Sequence, residues 1–403
     1  MSCPLFARPA PRMASGAGHG WHGFRATRRP GGGRWPPAAG AGLAAGGGKR
    51  QGPGGDGSMV SGGAAAVFVL ILAVGLGATL LTGRIRRYAL AREVLDHPTA
   101  RSSHTTPTPR GGGLAMVVAF VPAAAALALG KWIPPSLGVA LLGGLAVAWV
   151  GWVDDHRPLP ALPRLAVQGV AAAWALWWLD APEGLRAGVW TVPLGWAAPV
   201  LAGIGLVWLT NLYNFMDGID GLAATEAVTV ALGGGLLLAM SGQHGMAVLA
   251  LCLAAAAFGF LGWNLPPARI FMGDVGSGWL GYTFGVLALS SEGLGGPPLL
   301  LWMLLLGVFG VDATCTLLKR ALAGEAWYRP HRDHAYQLLA RSGWGHGGVT
   351  GAVAAVNLLV LLPAAAWVQA HPRWLPAVTA LGLLALGAAW AWVQVSRRGF
   401  SGP

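Results

Sequence analysis

The chain has 403 residues, of which 54% are hydrophobic and only 10% are charged. Soluble domains carry about 25% charged residues, so this composition excludes an ordinary soluble globule. The net charge of +12 does not indicate nucleic-acid binding, because eight of the 27 Lys and Arg precede Met59 and most others lie in short connections between apolar runs. The scattered cysteines Cys3, Cys252 and Cys315 argue against a disulfide framework or a zinc site.

Residues 1–58 differ in composition from the rest of the chain. They are rich in Gly, Pro, Ala and Arg and have no apolar period. Such a segment cannot bury enough apolar surface to offset its conformational entropy, which predicts a disordered tail before a membrane domain at 59–398. Because the first apolar run follows Met59 closely, a translation start at Met59 is an equal alternative to a genuine tail.

Long apolar runs divide the remaining chain into membrane spans. A helix needs about 20 apolar residues to cross a bilayer core, where it satisfies its own backbone. The runs predict an all-α, polytopic integral membrane protein of about eleven spans, with ten as the alternative if the last two are a single span; the break at 370–373 divides these two. The predicted spans are 64–82, 112–130, 136–153, 163–179, 196–213, 222–241, 246–263, 278–290, 299–318, 347–369 and 374–395.

Cationic residues fall mainly in the connections that follow odd-numbered spans. These connections and the C-terminal end contain sixteen Lys and Arg, whereas the connections after even-numbered spans contain only Lys131, Arg186 and Arg373. The positive-inside rule therefore predicts that the odd connections and the C-terminus are cytoplasmic. The N-terminus is then outside, where eight cations in residues 1–58 are unfavourable, which favours the start at Met59.

Five polar clusters interrupt the apolar pattern, and each follows an odd-numbered span. They occupy residues 96–113, 154–155, 211–221, 264–277 and 329–337. Because the positive-inside rule places all five connections on one side of the membrane, the simplest interpretation is a single cytoplasmic site assembled from five loops.

Two of these clusters are acidic. Asp154 and Asp155 repel each other unless a cation lies close, so the pair indicates Mg2+ or a bound cationic group, with a solvated helix end as the alternative. The third cluster contains four polar residues spaced by three: Asn211, Asn214, Asp217 and Asp220. Residues at this spacing share a helix face, and carboxylates beside a span are costly, so this stripe indicates function.

The other three clusters contain cations, and the first and fourth also contain glycines. Their candidate residues are Arg101, Ser103 and His104 in the first, Arg269 and Asp274 in the fourth, and His331, Arg332 and His334 in the fifth. Cations and hydroxyls suit phosphate, and a carboxylate flanked by glycines can hold a hard cation. Basic anchor loops, a glycine-rich turn and a two-histidine zinc site are the alternatives. Together the five clusters are typical of phosphoryl transfer to a lipid-borne substrate.

At these clusters the chain resembles the polyprenyl-phosphate N-acetylhexosamine-1-phosphate transferases, called glycosyltransferase family 4. The matching strings are RSSHTTPTPRGGG, WVDDH, NLYNFMDGIDGLA, NLPPARIFMGDVGS and RPHRDHAYQ, which follow the order of the family's motifs between residues 96 and 337. The resemblance implies a bacterial cytoplasmic-membrane enzyme that transfers an N-acetylhexosamine 1-phosphate from a UDP-sugar to polyprenyl phosphate and releases UMP. It is compatible with a homodimer and with Mn2+ in place of Mg2+.

The resemblance also implies roles for single residues. Asp274 matches the principal Mg2+ ligand, with Asn214 nearby, and Asp154 and Asp155 match the acidic pair essential for transfer. The expected contacts to nucleotide, sugar or phosphate are Arg101, Ser103, His104, Asn211, Asp217, Asp220, Arg269, His331, Arg332 and His334. Direct attack by the lipid phosphate is the favoured mechanism, and a covalent aspartyl-phosphate is its rival.

One departure bears on the pathway. The peptidoglycan enzyme, phospho-N-acetylmuramoyl-pentapeptide transferase, carries consecutive histidines in the last motif, whereas this chain has His331-Arg332-Asp333-His334. The first motif also resembles the O-antigen initiators more closely, so a glycan-initiating enzyme is favoured over the peptidoglycan enzyme. The sugar type stays open.

Two other classes of protein fit the sequence less well. A transporter is disfavoured because its polar sites usually lie near the bilayer midplane, whereas these clusters lie at span ends. A CDP-alcohol phosphatidyltransferase is suggested by Asp217-Gly218-Ile219-Asp220-Gly221, but Ala223-Ala224-Thr225-Glu226 lacks the Ala-Arg pair and the further aspartates of that family.

Overall fold

The computed structural model describes residues 57–98, 106–179, 182–326 and 331–400. The predicted tail, apart from its last two residues, lies outside the described residues. The helices are α1 Gly57–Ala91, α2 Leu114–Leu129, α3 Pro135–His156, α4 Ala161–Leu179, α5 Ala197–Phe215, α6 Leu222–Met240, α7 His244–Asn264, α8 Asp274–Gly293, α9 Leu299–Leu305, α10 Gly307–Leu322, α11 Ala335–Leu339, α12 Gly345–Val356, α13 Leu362–Ala370 and α14 Leu375–Phe400.

Short irregular helices and two small sheets complete the described part of the chain. Two π-helical turns, Ala340–Trp344 and Asn357–Leu361, connect α11, α12 and α13, and a 3-10 turn, Pro372–Trp374, precedes α14. Strands β1 Leu95–Asp96 and β2 Thr108–Pro109 form one antiparallel pair, and β3 Gly184–Ala187 and β4 Trp190–Pro193 form another.

The predicted all-α membrane architecture is confirmed. Within the described residues, seven helices are long and apolar enough to cross a membrane, and the bent pair α9 and α10 brings the number to eight. The other predicted spans correspond to α2, α4 and α8. The span predicted at 299–318 is not straight, because α9 and α10 meet at an angle of 80°.

Helix α8 is the central element of the bundle. Every residue from Val275 to Glu292 is buried, and the helix packs mainly against α3 and α5. Glycines allow this close packing: a Cβ on Gly281 would lie 2.8 Å from the Cα of Thr210 in α5. A helix of this length extends about 30 Å, so its two ends lie far apart. Asp274 begins α8 and Glu292 occupies its last turn, which separates two polar regions.

Glu292 forms an ion pair with Arg186 at the end of α8 that is remote from the polar clusters. The Glu292 side chain is 1% exposed, and its Oε1 accepts hydrogen bonds from the backbone N–H (2.7 Å) and Nε (3.2 Å) of Arg186 in β3. Its Oε2 accepts a hydrogen bond of 2.6 Å from the N–H of Leu299, the first residue of α9. Arg186 therefore fixes the β3–β4 sheet to the end of α8 opposite Asp274.

Candidate active site

The site is built around the first turn of α8. The buried carboxylate of Asp155, in α3, accepts hydrogen bonds from the backbone N–H groups of Asp274 (3.1 Å) and Val275 (3.2 Å). These amides are unpaired within their own helix, so an acceptor from another helix satisfies them. Gly151, one turn before Asp155, allows the approach, because a Cβ there would lie 2.6 Å from the backbone nitrogen of Val275.

Gly273 is required immediately before Asp274. Its φ of 75° lies in the region that favours glycine, and a Cβ there would lie 2.7 Å from Oδ1 of Asp155. The Gly-Asp-Val-Gly string thus lets the α3 carboxylate reach the start of α8. As a result, the side chain of Asp274 projects from a helix N-terminus whose partial positive charge favours anions.

One arginine joins the two accessible carboxylates. Nη1 of Arg164, in α4, lies 3.1 Å from Oδ2 of Asp154 and 3.1 Å from Oδ2 of Asp274. The Asp154 side chain is 14% exposed and that of Asp274 is 28% exposed, whereas Asp155 as a residue is only 2% exposed. Of these three aspartates, Asp274 and Asp154 are therefore partly accessible to solvent, and Asp155 holds α8 in place.

The third cluster contributes Asn214 and Asp217 to the same region. Asn214, in α5, hydrogen-bonds the side chain of Asp274 and donates from Nδ2 to Oγ of Ser277 at 2.9 Å. Asp217 follows α5, where burial first, and then the charges of Asp274 and Asp220, raise its pKa to about 7. The charges of the two neighbouring aspartates thus add to a rise in pKa that burial alone already causes.

Backbone hydrogen bonds join the first cluster to the fourth. The N–H of Gly112 donates to the carbonyl of Phe271 (2.9 Å), that of Gly113 to Met272 (2.8 Å), and that of Phe271 to Pro109 (2.8 Å). These bonds fix the segment before α2 beside the segment before α8. Arg101, Ser103 and His104, predicted to contact phosphate or sugar, lie outside the described residues.

Three other predicted residues are held by neighbouring segments. Asn211 donates from Nδ2 to Oε1 of Gln168 in α4 at 2.6 Å, one helical turn before Asn214. Oδ2 of Asp220 accepts from the N–H of Ala268 at 3.0 Å and lies 3.3 Å from Nδ1 of His346. These contacts brace the loops around the site. The guanidinium of Arg269 lies over the ring of Trp263, with 5.9 Å to the ring centroid.

The fifth cluster is fixed by a second buried aspartate. Asp312, in α10, accepts hydrogen bonds from the backbone N–H groups of Ala335 (2.9 Å) and Tyr336 (3.1 Å) at the start of α11. Tyr336 in turn donates its hydroxyl to the carbonyl of Phe215 at 3.0 Å, beside the third cluster. Asp312 therefore holds α11 much as Asp155 holds α8, and Tyr336 connects the fifth cluster to the third.

The predicted histidines of the fifth cluster stack on one another. The ring centroids of His331 and His334 lie 4.9 Å apart, and those of His334 and Tyr336 lie 5.7 Å apart. Burial, together with His334 and Arg320, lowers the pKa of His331 to about 4, so its imidazole is neutral at pH 7. The backbone carbonyl of Arg332 accepts a hydrogen bond of 2.5 Å from Arg341.

The residues around Asp274 fit a hard divalent cation. Carboxylate and amide oxygens of Asp274, Asp154 and Asn214 are the donor types that Mg2+ prefers. Within the described residues, however, no three His, Cys, Asp or Glu side chains form a ligand group of their own. That donor set matches a Mg2+ that keeps several waters and is completed by substrate phosphates, as is usual for this ion.

Sequence reasoning did not single out Arg164 and Asp312 as functional. Arg164 counted only as one of the cations that set orientation, and Asp312 lies in the apolar run between residues 299 and 318. A charged residue inside a predicted span was the available signal for Asp312, because such residues are rare unless they have a partner. The sequence carried no comparable signal for Arg164.

Comparisons with known proteins show the family of the chain. Residues 137–292 match the family described as Glycosyl transferase family 4. The chain is 30% identical over 312 residues, 72% of this chain and 83% of the relative, to a Bacillus subtilis (strain 168) protein described as a probable undecaprenyl-phosphate N-acetylglucosaminyl 1-phosphate transferase. The chain belongs to glycosyl transferase family 4.

Two further relatives represent different members of family 4. The decaprenyl-phosphate N-acetylglucosaminephosphotransferase of Mycobacterium tuberculosis (strain ATCC 25618 / H37Rv) is 32% identical over 343 residues, 74% of this chain and 83% of the relative. The phospho-N-acetylmuramoyl-pentapeptide-transferase of Moorella thermoacetica is 37% identical over 203 residues, 46% of this chain and 62% of the relative. The family 4 match includes α3 to α8 and hence Asp154, Arg164 and Asp274.

Proposed function

We propose that this protein transfers an N-acetylhexosamine 1-phosphate, of the N-acetylglucosamine type, from a UDP-sugar to polyprenyl phosphate and releases UMP. The observation that carries the proposal is the joining of Asp154 and Asp274 through Arg164 at the N-terminus of α8. The names of the Bacillus subtilis and Mycobacterium tuberculosis relatives support the polyprenyl-phosphate acceptor and the sugar.

The chain's own residues bind and orient two phosphate-bearing substrates. The partial positive charge at the start of α8 and the guanidinium of Arg164 attract the sugar diphosphate. In the free protein Asp154 orients Arg164 from one side, while its Oδ1 accepts the N–H of Leu159 at 2.6 Å and so fixes the end of α3. The lipid phosphate, with a second pKa of about 6, is mostly dianionic at neutral pH and needs little activation by a base.

Mg2+ is the cofactor that we propose for this site. Asp274 and Asn214 would hold it, with Asp154 beside them, and water and diphosphate oxygens would supply its other ligands. When bound, it would neutralise negative charge on the diphosphate and on the leaving UMP. The closeness of Asp217 to Asp274 supports the proposal, because the charge of Asp274 adds to burial in raising the pKa of Asp217, and a bound cation would offset that charge.

The distribution of Lys and Arg supports one orientation of the protein in the membrane. The described clusters that meet at α8 all follow odd-numbered predicted spans, which are the connections that hold most of the Lys and Arg. The positive-inside rule therefore supports an active site at the cytoplasmic face of a bacterial inner membrane, with the C-terminus on the same side.

The peptidoglycan reaction of phospho-N-acetylmuramoyl-pentapeptide transferase is the second candidate. The peptidoglycan reaction is favoured by the 37% identity to the Moorella thermoacetica enzyme, which extends across 203 matched residues. Against it, Arg332 and Asp333 separate the two histidines of the last cluster, and the N-acetylglucosaminyl relatives cover more of this chain.

The test is an assay of UMP release by the purified full chain in detergent. UDP-N-acetylglucosamine, other UDP-N-acetylhexosamines and UDP-N-acetylmuramoyl-pentapeptide are compared, each with and without polyprenyl phosphate and Mg2+. We expect release with UDP-N-acetylglucosamine that requires both the lipid and the metal ion. Release only with the pentapeptide substrate would establish the second candidate, and no release with any of them would refute the proposal.

A further inference from the structure

Arg164 contacts both exposed carboxylates of the site through a single atom. Its Nη1 lies 3.1 Å from Oδ2 of Asp154 and equally far from Oδ2 of Asp274. All three side chains retain some solvent exposure, between 14% and 28%, so an ion from solution can reach the pair. The guanidinium thus occupies the space between two carboxylate oxygens, which is also where a divalent cation would bind.

We infer that Arg164 is a tethered cation that the divalent metal ion displaces, and that the displaced guanidinium then binds the diphosphate of the substrate. The inference rests on the metal site proposed at Asp274. It assigns Arg164 two successive partners: the carboxylates in the free protein and a phosphate in the loaded protein. Metal binding and nucleotide binding are coupled as a consequence.

A metal ion and the Arg164 guanidinium would compete for the same two carboxylate oxygens, Oδ2 of Asp154 and Oδ2 of Asp274. Mg2+ would bind carboxylate oxygens at about 2.0–2.1 Å, roughly 1 Å closer than Nη1 lies, so an ion held by both Oδ2 atoms would take the place of the guanidinium. A metal ion on these oxygens and a guanidinium still beside them would repel each other strongly, because both are positively charged and close together. Asp274 therefore has to exchange one cation for the other, and the presence of Arg164 weakens metal binding.

The displaced arginine remains suited to phosphate. A guanidinium has five N–H donors in a planar fork that matches phosphate oxygens in pairs, and the described contacts to the carboxylates use only Nη1. Because Arg164 begins the second turn of α4, its side chain can turn without movement of the helix. A diphosphate bound at Asp274 through the metal would lie within reach of that side chain.

The first experiment measures Mn2+ affinity of the detergent-purified full chain without nucleotide, from the electron paramagnetic resonance signal of free Mn2+. We expect Arg164→Gln to bind Mn2+ about fivefold or more tightly than wild type, the lower end of typical coupling between ligands. Arg157→Gln is the matched control: it removes the same charge from the preceding connection, where Arg157 is exposed. Its affinity should equal that of wild type.

Two variants separate failure of the inference from failure of the proposed metal site. Asp274→Asn should abolish Mn2+ binding at this site. If it does, and Arg164→Gln binds Mn2+ no more tightly than wild type, the displacement of Arg164 is refuted while the metal site stands. If Asp274→Asn binds like wild type, the metal site itself is refuted, and the inference with it.

The second experiment tests whether the displaced guanidinium binds the diphosphate, by titration of UDP at saturating Mn2+. Arg164→Gln should lose about tenfold or more in UDP affinity, since a hydrogen bond to a charged group is removed. Arg164→Lys serves if the Gln variant does not fold. It should keep the Mn2+ affinity of wild type, because the charge remains, and lose UDP affinity, because the planar fork is absent. Unchanged UDP affinity in the variant tested would overturn this half of the inference.

Discussion

The carboxylate of Asp155 accepts a hydrogen bond from the backbone N–H of Asp274, 119 residues later in the chain. This bond, with the second one from Val275, joins α3 to the start of α8 and places the Asp274 side chain at the site. The adjacent Asp154 has a different environment, because it faces Arg164 and solvent. Two neighbouring aspartates thus have separable roles, which substitutions can distinguish.

Asp155→Asn should destabilise the protein, and Asp154→Asn should not. An amide side chain has one acceptor oxygen, so one buried N–H at the start of α8 loses its partner, at about 1–3 kcal/mol. Asp154→Asn should keep the bundle intact, because the amide oxygen can still accept the N–H of Leu159, but it should lower turnover strongly, since a carboxylate beside the proposed metal ion is lost. Thermal unfolding in detergent and UMP release separate the two effects. Equal melting temperatures for the two variants would contradict this division of roles.

Asp312→Asn should weaken the protein in the same way at α11. One of the N–H groups of Ala335 and Tyr336 loses its acceptor, so we expect destabilisation of about 1–3 kcal/mol and a loss of UMP release. Thr314→Ala, an exposed position on the same helix, is the control and should leave both quantities unchanged. Normal turnover in Asp312→Asn would show that the fifth cluster does not need this anchor.

The raised pKa of Asp217 predicts a pH effect on stability in EDTA. Its pKa is about 7 in the folded protein and 3.8 ordinarily, so the folded state holds this proton more tightly than the unfolded state. The stability that protonated Asp217 contributes to folding is therefore lost as the pH rises from 3.8 towards 7, and the loss is complete above a pH of about 7. Asp217→Asn should melt at a higher temperature than wild type at pH 8, with a smaller difference at pH 5.

The control for this prediction is Glu183→Gln, which removes an exposed carboxyl from the connection before β3. Its melting temperature should follow wild type at both pH values. A difference between Asp217→Asn and wild type that is the same at pH 5 and pH 8 would show that Asp217 does not titrate in this interval.

Direct attack by the lipid phosphate predicts that no phosphorylated enzyme forms. Both oxygens of Asp154 accept hydrogen bonds, from Leu159 and Arg164, which lowers the nucleophilicity of this carboxylate. We expect no covalent label on the protein after incubation with UDP-sugar labelled in the β-phosphate, with Mg2+ and without lipid. A stable label that Asp154→Asn or Asp274→Asn abolishes would establish the covalent route.

Sequence periodicity predicted the helices well, and charge placement predicted the convergence of the clusters. Each of the eleven predicted spans coincides with a helix or with a bent or joined set of helices, because long apolar runs need little tertiary information. Hydrogen bonds from Asp274 to Asp155, from Asn214 to Asp274 and from Tyr336 to Phe215 join four of the five clusters, and the described part of the first joins through Gly112.

What escaped prediction depends on contacts distant in sequence. The bend between α9 and α10 and the π-helical turn at Asn357 are set by packing. Glu226 illustrates the point: this fully buried carboxyl in α6 accepts a hydrogen bond of 2.7 Å from Asn357, 131 residues later. Adjacency likewise suggested one shared role for Asp154 and Asp155, whereas their separate partners are visible only once α3, α4 and α8 are packed.

The transfer reaction itself is tested most directly with UDP-N-acetylglucosamine carrying one label in the sugar and another in the β-phosphate. The purified full chain, given polyprenyl phosphate and Mg2+, should move both labels into the lipid in equal amounts, and Asp274→Asn should move neither. Transfer of the sugar label without the phosphate label, or transfer of both by Asp274→Asn at the wild-type rate, would contradict the proposed reaction.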